Sequence, residues 1–94
     1  MIVSDAVKVE GCLEGSNVYD IKLVGEIDKK FIDHLGEMGK LTYKDNYEKP
    51  FFRVIVRGKY TLKGVESNSE IRVILPDNGN FNDIRKIMEH IKIF

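Results

Sequence analysis

The chain predicts an α+β fold: an antiparallel sheet of five or six strands in the order ββα(β)βββα, with two helices packed on one face. Three observations carry this expectation. Apolar and polar residues alternate with period two through most of Phe51 to Leu75, a second alternating pair of segments opens the chain, and an apolar stripe at helical spacing closes it. Consecutive strands joined by short turns pair antiparallel, and two amphipathic helices most economically cover the same side of such a sheet.

At the start, Val7 and Val9, with Leu13 beyond them, share one face opposite Lys8, Glu10 and Cys12. Gly15-Ser16-Asn17 then turns the chain into Tyr19, Ile21 and Leu23, which alternate with Asp20 and Lys22. The pattern reads as a hairpin. Asp28 fits a helix N-cap, and Ile27, Phe31, Leu35 and Met38 follow at helical spacing until Gly39 stops the helix. Lys40 to Tyr47 adds a short strand, ended by Pro50.

In the central meander Phe52, Val54 and Val56 alternate with Arg53, Ile55 and Arg57, Tyr60 and Leu62 with Thr61 and Lys63, and Ile71, Val73 and Leu75 with Arg72 and Ile74. A three-residue turn Arg57-Gly58-Lys59 and a two-residue turn Ser67-Asn68 are the loop lengths that set apolar residues opposite apolar ones. After Pro76-Asp77-Asn78-Gly79 the last helix runs from about Asn80 to the terminus. Its stripe is Phe81, Ile84, Ile87, Met88, Ile91 and Phe94, with Asp83, Arg85, Lys86, Glu89 and Lys92 toward water.

This register sets Arg53, Lys63 and Arg72 side by side on the face opposite the apolar layer. Like charges directly opposite on neighbouring strands destabilise a sheet, so an anionic group is expected to answer them. Beside the cations run Ile55, Thr61 and Ile74, and beyond them Phe51 and Val65. An amphipathic face of this kind is normally covered. The expected partner-binding residues are Phe51, Arg53, Ile55, Arg57, Lys59, Lys63, Arg72 and Ile74. The candidate occupants are an acidic protein surface, a second copy of the chain, or the acidic first hairpin through Glu10 and Asp20.

Composition narrows the function classes. Ninety-four residues suit one domain over residues 1–94, with 43% hydrophobic and 32% charged residues, ordinary for a globular protein. Net charge is zero, so no global excess announces a nucleic-acid or membrane protein. The charge is unevenly placed, however: residues 1–50 carry 7 Lys+Arg against 10 Asp+Glu, net −3, and residues 51–94 carry 8 against 5, net +3. One cysteine excludes an intramolecular disulfide and makes a reducing, cytoplasmic setting the expectation. No apolar run is long enough to span a bilayer, and the first residues lack the pattern of a secretory signal.

Catalytic and cofactor signals are sparse. His34 and Glu37, three apart on the first helix with Asp33 beside them, have a spacing compatible with one metal, but without a third or fourth ligand in view the expectation is a solvated helix face. His90 beside Glu89 reads as a surface histidine. Cys12 paired with His34 would need an organised base that no neighbouring motif supplies. Gly36-Glu37-Met38-Gly39 follows helical residues instead of opening a helix after a strand, so it reads as a helix end and not a phosphate loop. No cofactor or metal is therefore expected.

The order helix, three strands, helix from Asp28 to Phe94 is superficially similar to a double-stranded RNA-binding domain. That family opens its last helix with lysines, whereas this chain has Asp77-Asn78-Gly79-Asn80-Phe81-Asn82-Asp83, an acidic start that repels phosphate. Arg57 to Val65 also lacks the stacked aromatics of an RNA-recognition sheet. The expectation is a non-enzymatic interaction module binding an acidic protein surface or itself. The alternatives are nucleic-acid binding by Arg53, Arg57, Lys59, Lys63 and Arg72, and a small accessory subunit of an enzyme.

Overall fold

A computed structural model describes residues 1–11 and 13–94. Cys12, weighed above as a thiol nucleophile, lies outside the described residues. The strands β1 (Ile2–Val9), β2 (Val18–Val24), β3 (Lys40–Lys44), β4 (Phe51–Val56), β5 (Tyr60–Val65) and β6 (Glu70–Ile74) form one antiparallel sheet in the order β1-β2-β6-β5-β4-β3. Two helices, α1 (Lys29–Gly36) and α2 (Phe81–Lys92), pack against it.

The helices begin where the caps place them. The Asp28 side chain accepts from the Phe31 N–H at 2.8 Å, and Asn80 accepts from the Asn82 N–H at 2.9 Å, so each helix has a free backbone donor satisfied by its N-cap. Phe31, Ile32 and Leu35 of α1 and Ile84, Ile87 and Ile91 of α2 are fully buried in one core with Phe52, Val54, Leu62, Ile71, Val73, Ile21 and Leu23 from the sheet. Both helices thus cover the same face.

The meander has the register that alternation implies. Arg53 pairs with Lys63 and Val54 with Leu62 across β4 and β5, and Lys63 pairs with Arg72 and Leu62 with Val73 across β5 and β6. Arg57-Gly58-Lys59 is a three-residue turn closed by Lys59 N–H to Val56 O at 3.0 Å, with Gly58 at φ 76°. That left-handed conformation is easy for glycine and strained for residues with a Cβ.

Elsewhere the expected details are corrected. The β5–β6 connection is the longer loop Glu66–Ser69, because its backbone is claimed by neighbours: Glu66 N–H donates to Pro50 O, Ser67 N–H to Ile27 O, and Asn68 O and Ser69 O accept from Ile27 and Leu23. In the first hairpin, Val7 and Val9 pair with Asp20 and Val18 on the open face, while Tyr19, Ile21 and Leu23 face the helices. A register shift between Val3 and Asp5 lets Val3 and Ala6 both pack toward the core. Leu13 is fully exposed beyond the strand.

The first helix ends at Gly36, short of Met38, and the third strand ends at Lys44. Gly39 is required by proximity. A Cβ there would lie 2.3 Å from the Ile55 carbonyl oxygen, so only a bare backbone lets the chain enter β3 alongside β4.

Candidate functional site

The face opposite the helices is built by alternate residues of the six strands. Its middle row runs Thr42, Arg53, Lys63, Arg72, Asp20, Val7, flanked on one side by Lys40, Ile55, Thr61, Ile74, Val18 and Val9. On the other side lie Phe51 and Val65, paired across β4 and β5, with Glu70 and Lys22 paired across β6 and β2. The sheet therefore brings Phe51, Arg53, Ile55, Lys63, Arg72 and Ile74 onto one surface. Arg57 and Lys59 are exposed in the turn at its end.

Two acidic groups from the first hairpin answer two of the three cations. Asp20, only 8% exposed, takes Arg72 in a fork: Nε to Oδ1 at 2.9 Å and Nη2 to Oδ2 at 3.0 Å. Glu14 reaches across from the β1–β2 loop to Lys63 and to Arg72 Nη1 at 3.1 Å. The hydrogen bond from Lys63, with help from Arg72, holds the Glu14 carboxyl below the usual carboxylate range. Of the anions expected there, Asp20 takes part, whereas Glu10 is exposed and makes no ion pair among the described residues. Glu14, just before the Gly15-Ser16-Asn17 turn, carries no signal in the sequence pattern that would single it out.

The same loop lies over the sheet. A Cβ on Gly15 would meet Val18 Cγ2 at 3.7 Å and Ile74 Cγ2 at 3.9 Å, and Val18 is fully buried although it belongs to the open face. The β2–β6 side of the face is thus covered from within. Toward β4 it stays open: Phe51 is 37% and Ile55 42% exposed, and the exposed Arg53 between them has no charged partner among the described residues. A depression of about 510 Å³ lies here, lined among others by Phe51, Arg53, Lys63, Val65, Glu70 and Arg72. Another of about 410 Å³, bordered by Ile55, Lys59, Thr61 and Ile74, adjoins the sheet end. Lys22 pairs with Glu70 at the rim, and that hydrogen bond raises the Lys22 ammonium above its ordinary range.

A second cluster lies where the C-terminal ends of the two helices meet. The His34 and His90 rings stack with centroids 4.0 Å apart and planes 7° from parallel. Each Nε2 bonds the other residue's backbone carbonyl, at 2.6 Å from His34 and 2.8 Å from His90. His34 Nδ1 lies 3.1 Å from Glu37 Oε1. The expected solvated faces are corrected here, since the side chains of His34 and His90 are 13% and 21% exposed and each covers the other.

The fold and this face define an α+β protein with one helix-covered and one open sheet surface. No family model, curated protein or solved structure matches the chain. Among the described residues no helix is long and apolar enough to cross a membrane.

Proposed function

We propose that the chain is a non-enzymatic interaction module and that the open β4–β5 side of its sheet docks a second copy of the same chain. The observation that carries this reading is Arg53, exposed and unpaired among the described residues, set between exposed Phe51 and Ile55 on a face no helix covers. Such a surface combines apolar area to bury with a charge that needs an anion.

A second copy supplies that anion. Asp5, paired with Lys22 across β1 and β2, is exposed at the β1 edge of the same face, with exposed Glu10 just past the strand, so a two-fold arrangement of facing sheets sets Arg53 of each copy toward the acidic β1 edge of its mate. The molecule's extents are 33 × 26 × 23 Å, so a contact confined to the β4–β5 side is smaller than the roughly 800 Å² that a standard interface takes from each partner, as suits a reversible dimer. Its single cysteine suits a reducing, cytoplasmic setting. Nucleic acid is a poorer occupant, because phosphates would compete with Asp20 and Glu14 for Arg72 and Lys63 and the chain has no net positive charge.

Sedimentation equilibrium over a concentration series tests the reading. The expected result is a monomer–dimer equilibrium that Arg53→Glu and Ile55→Glu each shift toward monomer and that weakens with added salt. A monomer at every concentration, or a dimer indifferent to both substitutions, overturns it.

A further inference from the structure

We infer that His34, Glu37 and His90 form a binding site for a divalent transition-metal cation of the Zn²⁺ type. The inference is independent of the docking face and starts from a mismatch of lone pairs. A backbone carbonyl only accepts, so the Nε2 of each histidine carries a hydrogen and donates it to the carbonyl of the other residue. A neutral His34 ring then points its Nδ1 lone pair at a Glu37 carboxylate oxygen 3.1 Å away. Two electron donors face each other, and an electropositive species belongs between them: a proton or a metal ion.

The geometry suits the metal. Donors bound to a tetrahedral Zn²⁺ at about 2.0–2.1 Å lie ~3.4 Å from one another. Glu37 Oε1 lies 3.1 Å from His34 Nδ1 and 3.8 Å from His90 Nε2, and the three residues' ligand atoms fall within 4.8 Å of one another. His34 already has the support of a metal-bound imidazole, since its other nitrogen donates to a backbone carbonyl and so fixes the ring and the tautomer. Binding requires one rearrangement: His90 changes tautomer, losing the Nε2 proton to water while Nδ1 takes one up, so that Nε2 gives up its hydrogen bond to the His34 carbonyl and presents the freed lone pair to the ion.

The surroundings suit a cation as well. His34 and His90 occupy the last turns of α1 and α2, so two negative helix ends converge on the site. Phe94 lies against the His34 ring at 5.2 Å and also packs on Phe31, screening one side from water, while Glu37 remains 63% exposed on the other. Two imidazoles and one carboxylate leave a fourth position for water, the open set of a zinc site with three protein ligands.

The test is titration of the tag-free protein with Co²⁺, followed by its visible d–d absorption, and with Zn²⁺, followed by the thermal midpoint. The expected outcome is one equivalent of Co²⁺ with the intense spectrum of a tetrahedral N/O site, displaced by Zn²⁺, and a midpoint that rises with Zn²⁺. Glu37→Gln and His90→Gln should each weaken binding by at least ~10-fold. Glu37 is exposed, so Glu37→Gln keeps the test decisive even where loss of the stacked ring impairs folding. No binding, or binding unchanged by Glu37→Gln, overturns the inference and leaves a proton as the group between His34 and Glu37.

Discussion

Arg72 holds Asp20 by two near-parallel hydrogen bonds of 2.9 and 3.0 Å across the β6–β2 pair, fastening the first hairpin to the meander on the face away from the helices. A planar guanidinium fits a carboxylate in this fork, and the low exposure of Asp20 keeps water from competing. Asp20→Ala should cost about 1–3 kcal/mol in chemical denaturation, because it strips a charged hydrogen-bond partner from a half-buried guanidinium. An unchanged midpoint would show that the fork to Asp20 is not what fastens the hairpin.

Lys63→Glu should destabilise the monomer by up to ~1 kcal/mol, the scale of a partly exposed ion pair, since it sets a carboxylate against Glu14. Glu14→Gln in the Lys63→Glu background should remove the repulsive part of the loss without setting a new cation against Arg72, and the double-mutant cycle measures the coupling. Because the Glu14 carboxyl titrates below its ordinary value in the folded protein, its contribution is present above the unfolded-state value of 4.5 and disappears as pH falls through the lower folded-state value. The denaturation difference between wild type and Glu14→Gln should therefore vanish in acid.

Tyr43 gives a prediction at the other end of the pH scale. Its hydroxyl donates to Glu66 Oε1 at 2.7 Å, and that bond above all, with burial and nearby carboxylates adding to it, pushes the phenol up to about 12. A group raised in the folded state stabilises it fully below the unfolded value of 10 and loses that contribution as pH rises toward 12. Absorbance titration should show two of the four tyrosines ionising late, Tyr43 and Tyr60, the latter's phenol being pushed up by burial, and only Tyr43 should move back toward ordinary behaviour in Glu66→Gln. Tyr43→Phe should remove the Tyr43 step and leave that of Tyr60.

Much of the fold was legible because local periodicity and burial agree. In the meander, a sheet buried on one side forces Val54, Leu62 and Val73 onto that side, and a slip by one residue would expose all of them. The cations on the opposite face follow without further information. The first hairpin was less legible: Val7 and Val9 look like core positions, yet the core takes Val3 and Ala6, and only the register shift between Val3 and Asp5 permits that.

The sequence by itself determined the two helices and the Asp28 cap, the alternating strands, the row Arg53-Lys63-Arg72 and the unequal charge of the two halves, because each depends on residues close along the chain or on a short turn. Tertiary structure alone decided what meets that row and what meets His34. Glu14 reaches Lys63, 49 positions away, because the β1–β2 loop folds back over the sheet, and His90 reaches His34, 56 positions away, because both helices pack on one face and end together. No local pattern encodes contacts at such separations. They follow from how a single core fixes the relative placement of elements, and that placement is what turns two unremarkable histidines and an exposed glutamate into a cluster.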